Sequence, residues 1–308
     1  MGGRHEVWRL TLGEALFVVA LLLFLAGVIM PMLARVKSGP HGPTCGWNLS
    51  GLGKAMLIYA NDYDDRLPVA GGPNASWAAR TPNWKAGDSA EAYGVDPEAT
   101  AGGQASISAS LYLLVKYEEV APRDFLCRDR KGTIEKGASV FDPCDYGVQD
   151  RTLTDLWDFG PNPSEHVSFA YHMGYEGHGL TNYSSPGMVI AADRNPWMDS
   201  PMARARGFAE FTPDLPPFDG TQEAAQRGNS LAHKGQGQNV LFLDSHVDLK
   251  KRPFCGIKND NIYTSWDGED KIRGKPARFG SVPAGAEDSL LVNDPAVTAT
   301  IPYPDRRR

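Results

Sequence analysis

The chain has four cysteines but no Cys-x-x-Cys pair, which excludes a zinc ribbon and a thioredoxin-type redox motif. It also lacks Gly-x-Ser-x-Gly, His-Glu-x-x-His and P-loop patterns, the local signatures of serine hydrolases, zinc proteases and phosphate-cradling loops. Positive charge is not in surplus. With 31 Lys and Arg against 37 Asp and Glu, the net charge is −6, and general nucleic-acid binding needs a basic face. Finally, no ionisable residue occurs between Ala15 and Ala34.

That uncharged run is the main feature present. About 20 apolar residues cross a bilayer as one helix, so residues 10–37 are predicted to form a membrane anchor closed by Arg35 and Lys37. The run is too long for the core of a secretory signal peptide, and no small-residue cleavage site follows it. Glu14 stands at its mouth, where a carboxylate needs a partner or a place at the interface. Pro31 lies near its far end, where proline kinks a helix. A plain signal anchor is the rival reading, with Thr11 and Glu14 as a capping box. Arg4 and Arg9 balance Arg35 and Lys37, so flanking charge alone does not set the orientation.

Beyond the anchor, 33 Gly and 23 Pro predict a loop-rich domain with short strands. Ser38 to Pro43 is a Gly/Pro hinge. Thr44 is expected to cap a helix from about Gly46 to Asp62, with Trp47, Leu52, Met56 and Tyr59 as its inward stripe. Ser106 caps a second helix reaching Glu119, with Leu111, Leu114 and Val115 inward. Phe125 to Cys127 reads as a strand end, and Val167–Tyr171 and Met188–Ala192 as strands. Asn239–Leu243 and His246–Leu249 read as a hairpin turning at Asp244-Ser245. The globular domain is thus expected over residues 44–270, and 271–308 as an extended or disordered tail.

Two sets of residues carry a family resemblance. Leu10-Thr11-Leu12, Glu14 and Pro31 resemble the N-terminal segment of type IV pilins and pseudopilins. Those proteins are cut after a glycine, whereas Arg9 precedes Leu10 here, so residues 1–9 are predicted to stay on the chain as a cytoplasmic leader-like segment. Cys45-Gly46-Trp47-Asn48-Leu49, Tyr59 to Asp64, Phe125-Leu126-Cys127, and His233 to Val247 resemble motifs of a bacterial pilin-like family. The last stretch resembles its prepilin-type processing-associated C-terminal signature, a His spaced from Asp-Gly. Here ten residues separate His233 from Asp244, Ser245 replaces the glycine, and Asn239 and His246 belong to the same stretch.

The resemblance implies an α+β fold, a helical stalk packed on a mostly antiparallel sheet. It implies a single-pass protein of the inner membrane with a periplasmic or external domain. Its partners would be the lipid bilayer and other pilin-like subunits or a secretion apparatus, with no nucleic acid, no cofactor and no enzymatic role. Arg9, Leu10 and Glu14 would govern processing and assembly. One alternative is a tethered extracytoplasmic binding module that never assembles.

Another alternative is a metal-dependent hydrolase built on His233 and Asp244, with His246 nearby, because imidazole and carboxylate can hold zinc. Turn chemistry accounts for Asp244 without metal. Asp62, Asp64 and Asp65, with Asn259, Asp260, Asn261 and Asp267, are candidate calcium ligands by donor type, without EF-hand spacing. Four cysteines allow three pairings, and Cys127–Cys144 with Cys45–Cys255 is the expectation adopted. Trp77, Trp84, Trp157, Trp197 and Trp266 are either a binding platform or packing residues.

Overall fold

The computed structural model describes residues 12–22, 43–72, 74–95, 102–127, 138–198 and 207–295. The chain divides into two units, 1–42 and 43–308. In the first, 12–22 form a helix (α1) with exposed side chains. No helix among the described residues is long and apolar enough to cross a membrane. Most of the predicted anchor and hinge, with Arg9, Leu10, Thr11, Pro31, Arg35 and Lys37, lies outside the described residues.

The second unit opens with α2 (Pro43–Asp62). Proline suits the first helical position because its missing N–H would have no partner there. Thr44 therefore sits in the first turn rather than at the cap. Cys45, Leu49, Leu52, Met56, Tyr59 and Ala60 are buried at three- and four-residue intervals. Trp47 corrects the expected stripe, for it is 69% exposed. Lying five residues from Leu52, at ~100° per residue it points off that face. Asp64 and Asp65, both at positive φ, turn the chain away from the helix end.

Short elements follow: β1 (Ser76–Trp77), α3 (Ser89–Tyr93) and β2 (Gln104–Ala105), which pairs parallel with β1. Helix α4 (Ile107–Glu118) starts where expected, with the Ser106 hydroxyl accepting from Ala109 N at 2.8 Å. Leu111, Leu114 and Val115 are buried as the pattern required. Pro122–Phe125 is a single 3-10 turn instead of a strand end. Pro122 leads the turn, and Asp124 N donates to Ala121 O.

Strands β3 (Phe169–His172), β4 (Val189–Asp193), β5 (Gln238–Phe242) and β6 (Val247–Lys250) form one antiparallel sheet. A ribbon, β7 (Thr264–Asp267) with β8 (Asp270–Pro276), precedes β9 (Leu291–Val292). The sheet order is β6-β5-β4-β3-β9. The tail expected from residue 271 is thus corrected as far as 295. Leu291 and Val292 pair with β3 as an edge strand, and Leu290, Leu291 and Val292 are all fully buried. Residues 296–308 lie outside the described residues.

The domain is α+β. Strand β5 is buried along its whole length because both faces of the sheet are covered. Leu241 and Leu243 join the core shared with α2 and α4. Val240 and Phe242 face a second core with Phe211, Ile262 and Tyr263. Helix α2 comes close to β5 at two glycines. A Cβ on Gly46 would lie 3.3 Å from Asn239 Oδ1, and one on Gly53 would lie 2.7 Å from Leu241 Cδ1.

Candidate functional site

At its Asn239 end, β5 meets residues from three distant parts of the chain and from the loop that precedes it. Cys45, in the first turn of α2, is disulfide-bonded to Cys127, which follows the 3-10 turn. Their Cα atoms are 5.1 Å apart across a sequence separation of 82. Asn48, one turn along α2, donates from Nδ2 to Leu126 O at 3.0 Å and fastens the same junction. His233 Nε2 lies 3.7 Å from Cys127 Sγ, 3.1 Å from Asn239 Nδ2 and 3.3 Å from Asp193 Oδ2. Asp193, the last residue of β4, accepts from Asn239 N at 2.6 Å and from Asn239 Nδ2 at 3.1 Å. Cys45, Cys127, His233 and Asp193 are each at most 2% exposed.

The loop that carries His233 is tied down from outside. Asn229 Nδ2 donates to Gly235 O and Lys251 O, and Gln238 Oε1 accepts from Ser230 N. His233 and Lys234 both take positive φ, at 54° and 59°. Two consecutive non-glycine residues in that region persist only where the surroundings enforce them. Here the enforced conformation turns the imidazole inward.

The other end of the hairpin is different. Asp244 and His246 are each 47% exposed and contact one another, with His246 Nδ1 2.5 Å from Asp244 Oδ1. The His246 ring stacks on Phe242 at 4.2 Å between centroids. Burial raises the Asp244 carboxyl, but hydrogen bonds from the His246 side chain and backbone outweigh it and hold the group below the ordinary value. Ser245 sits at φ 69°, which explains why a glycine would suit this turn. The pair proposed for a hydrolase is therefore not assembled. His233 lies beside Asn239, and Asp244 lies five residues further on, roughly 16 Å along a strand.

The expected cysteine pairing is corrected as well. Cys45 and Cys127 line the core beneath α2, while Cys255 packs against the core on the opposite face of the sheet. Cys144 stands in an exposed 3-10 turn, Pro143–Tyr146. Cys144 and Cys255 are free thiols. A hydrogen bond with Asp142 raises Cys144, and burial pushes Cys255 up to about 12. Neither is readily a thiolate, the form that attacks a disulfide.

The calcium candidates divide. Asp62, Asp64 and Asn259 are exposed. Asp260 is fully buried and accepts from Ser289 N at 2.8 Å and from Trp266 Nε1 at 2.5 Å. Among the described residues, Cys45, Cys127 and His233 form the single group of three whose ligand atoms lie close enough to share a metal ion. Trp77, Trp84, Trp157 and Trp197 are packing residues, each at most 9% exposed, and Trp266 lies in β7.

Sequence reasoning missed Asp193, Asp158 and Asp294. Asp158 and Asp294 are buried near the start of α4, where Asp294 accepts from Ile107 N, Ser108 N and Trp77 Nε1. A usable signal was present for Asp193, since its charge directly follows the apolar run Met188–Ala192. No family model matches the sequence, and neither a curated protein nor a solved structure matches it.

Proposed function

We propose that this chain is a non-enzymatic, membrane-anchored pilin-like protein, with residues 10–37 as the anchor and the second unit outside the cytoplasm. In this reading it serves a type II secretion or type IV pilus-like apparatus, or is an unassembled relative of such subunits. The observation that carries the reading is the convergence of Cys45, Asn48, Cys127, His233 and Asn239. These residues come from separate sequence motifs that resemble one family, and they meet at one junction between α2 and the antiparallel sheet. A disulfide in that junction suits an oxidising compartment, as an extracytoplasmic domain requires.

The test is fractionation of the native protein followed by N-terminal sequencing. The full chain is expected to stay with membranes through a carbonate wash and to retain Arg9. Glycine offers a processing peptidase no side chain to accommodate, whereas arginine presents a long charged one. A chain beginning at Leu10 would show processing and restore the full subunit role. Full-length chain in the carbonate-soluble fraction would sink the anchored reading.

A further inference from the structure

We propose that Cys45, Cys127 and His233 form a binding site for one Zn2+ in the dithiol form of the chain, so that metal and disulfide are alternative occupants of the same cluster. The inference stands apart from the pilin-like reading, because it rests on this geometry alone. One ligand atom from each residue lies within 4.8 Å of the others, and all three residues are buried. Two zinc ligands at ~2.3 Å (sulfur) and ~2.1 Å (nitrogen) in a tetrahedral site sit about 3.6 Å apart. The Cys127 Sγ to His233 Nε2 separation is 3.7 Å. A disulfide needs only the two sulfurs, yet the imidazole is turned into the same cluster by a loop with two residues at positive φ.

Charge favours the same ion. Binding displaces one proton from each thiol, and the two thiolates cancel the dication, so the buried complex is neutral. Asn239 Nδ2 and Asp193 Oδ2 lie 3.1 Å and 3.3 Å from the same His233 Nε2, so coordination replaces those contacts at that nitrogen. Because the site is closed to solvent, the ion enters as the domain folds around it. No reductant is required, since a newly made chain carries thiols.

The test uses the full-length chain in detergent, folded with zinc sulfate under a phosphine reductant and freed of loose metal by gel filtration. Atomic emission counts zinc per chain, and maleimide labelling with mass spectrometry finds the shielded thiols. One zinc per chain is expected, with Cys45 and Cys127 in denatured protein labelled only after the zinc is chelated, and Cys144 labelled throughout. Cys127→Ser and His233→Ala should each weaken retention at least ~10-fold, the scale on which metal sites respond to lost partners. The double variant Cys144→Ser/Cys255→Ser should retain zinc, and the disulfide-closed chain should hold none. If His233→Ala does not fold, Co2+ on the unaltered chain decides, through a sulfur-to-cobalt charge-transfer band. A reduced chain without stoichiometric zinc, zinc held by the disulfide-closed chain, or zinc lost in the Cys144→Ser/Cys255→Ser variant would each overturn the proposal.

Discussion

The two ends of β5 lie within one stretch of sequence, 233–247, yet they are held by different physics. At the Asn239 end the partners come from α2, β4 and the turn before Cys127 as well as from the neighbouring His233, and the polar groups are buried and mutually bonded. At the Asp244 end the partners are two to four residues away, and solvent reaches them. A stretch that reads as one signature is thus two devices. One fixes where the hairpin sits on α2 and β4; the other only turns the chain. Removing a group from the first should cost several times more than removing one from the second.

The largest expected effect comes from the disulfide. In the chain-entropy view, closing a loop with a sequence separation of 82 stabilises by about 4.5 kcal/mol. The double variant Cys45→Ala/Cys127→Ala should lose that amount in urea denaturation monitored without zinc. A loss below about 1 kcal/mol would mean that the buried end does not depend on the bond.

Next is Asp193→Ala. It strips the acceptor from Asn239 N and Nδ2 and leaves His233 without its carboxylate. Orphaned buried donors make this worth about 3 kcal/mol, read as a shift in the denaturation midpoint. Asp244→Ala removes an exposed local contact and should cost about 1 kcal/mol or less. Equal costs would erase the contrast between the two ends.

Much of this arrangement was legible in advance. Helix α4 and its serine cap, β3, β4 and the hairpin all follow from periodicity and turn residues, because each is a local decision. The α2 stripe was misplaced at Trp47 because two of its contacts, at Gly46 and Gly53, are made by the absence of a side chain. Strand β9 has two residues, too few for any period to show. The cysteine pairing was illegible because it depends on which face of the sheet each residue meets. His233 was singled out for chemistry, but its acid is Asp193 and not Asp244, a partner brought within reach by the end of β4 and by the turn of the loop before β5.

Acidity offers a milder contrast of opposite sign. Burial pushes the carboxyls of Asp158 and Asp260 up to about 7. In the unfolded chain they ionise near pH 4. Between pH 4 and 7 the folded state therefore binds more protons, and stability falls as pH rises. A decrease across that window is expected from denaturation at fixed ionic strength. Asp244, held low, works the other way, for its contribution is present above pH 4 and is lost as pH falls through its depressed value. A flat profile between pH 4 and 7 would contradict the burial of these acids.

The smallest effect sharpens the account of the turn. Ser245→Gly relieves a non-glycine φ of 69°, and should stabilise the domain by about 1 kcal/mol. The same substitution class is not expected to help at His233, where the side chain carries the contacts.

The most direct test is non-reducing peptide mapping by mass spectrometry of the full chain from its native cells, with thiols blocked at lysis. One linked pair, Cys45 with Cys127, is expected, with blocked thiols at Cys144 and Cys255. Linkage of Cys127 to Cys144, or of Cys45 to Cys255, would contradict the cluster on which every argument about the Asn239 end depends.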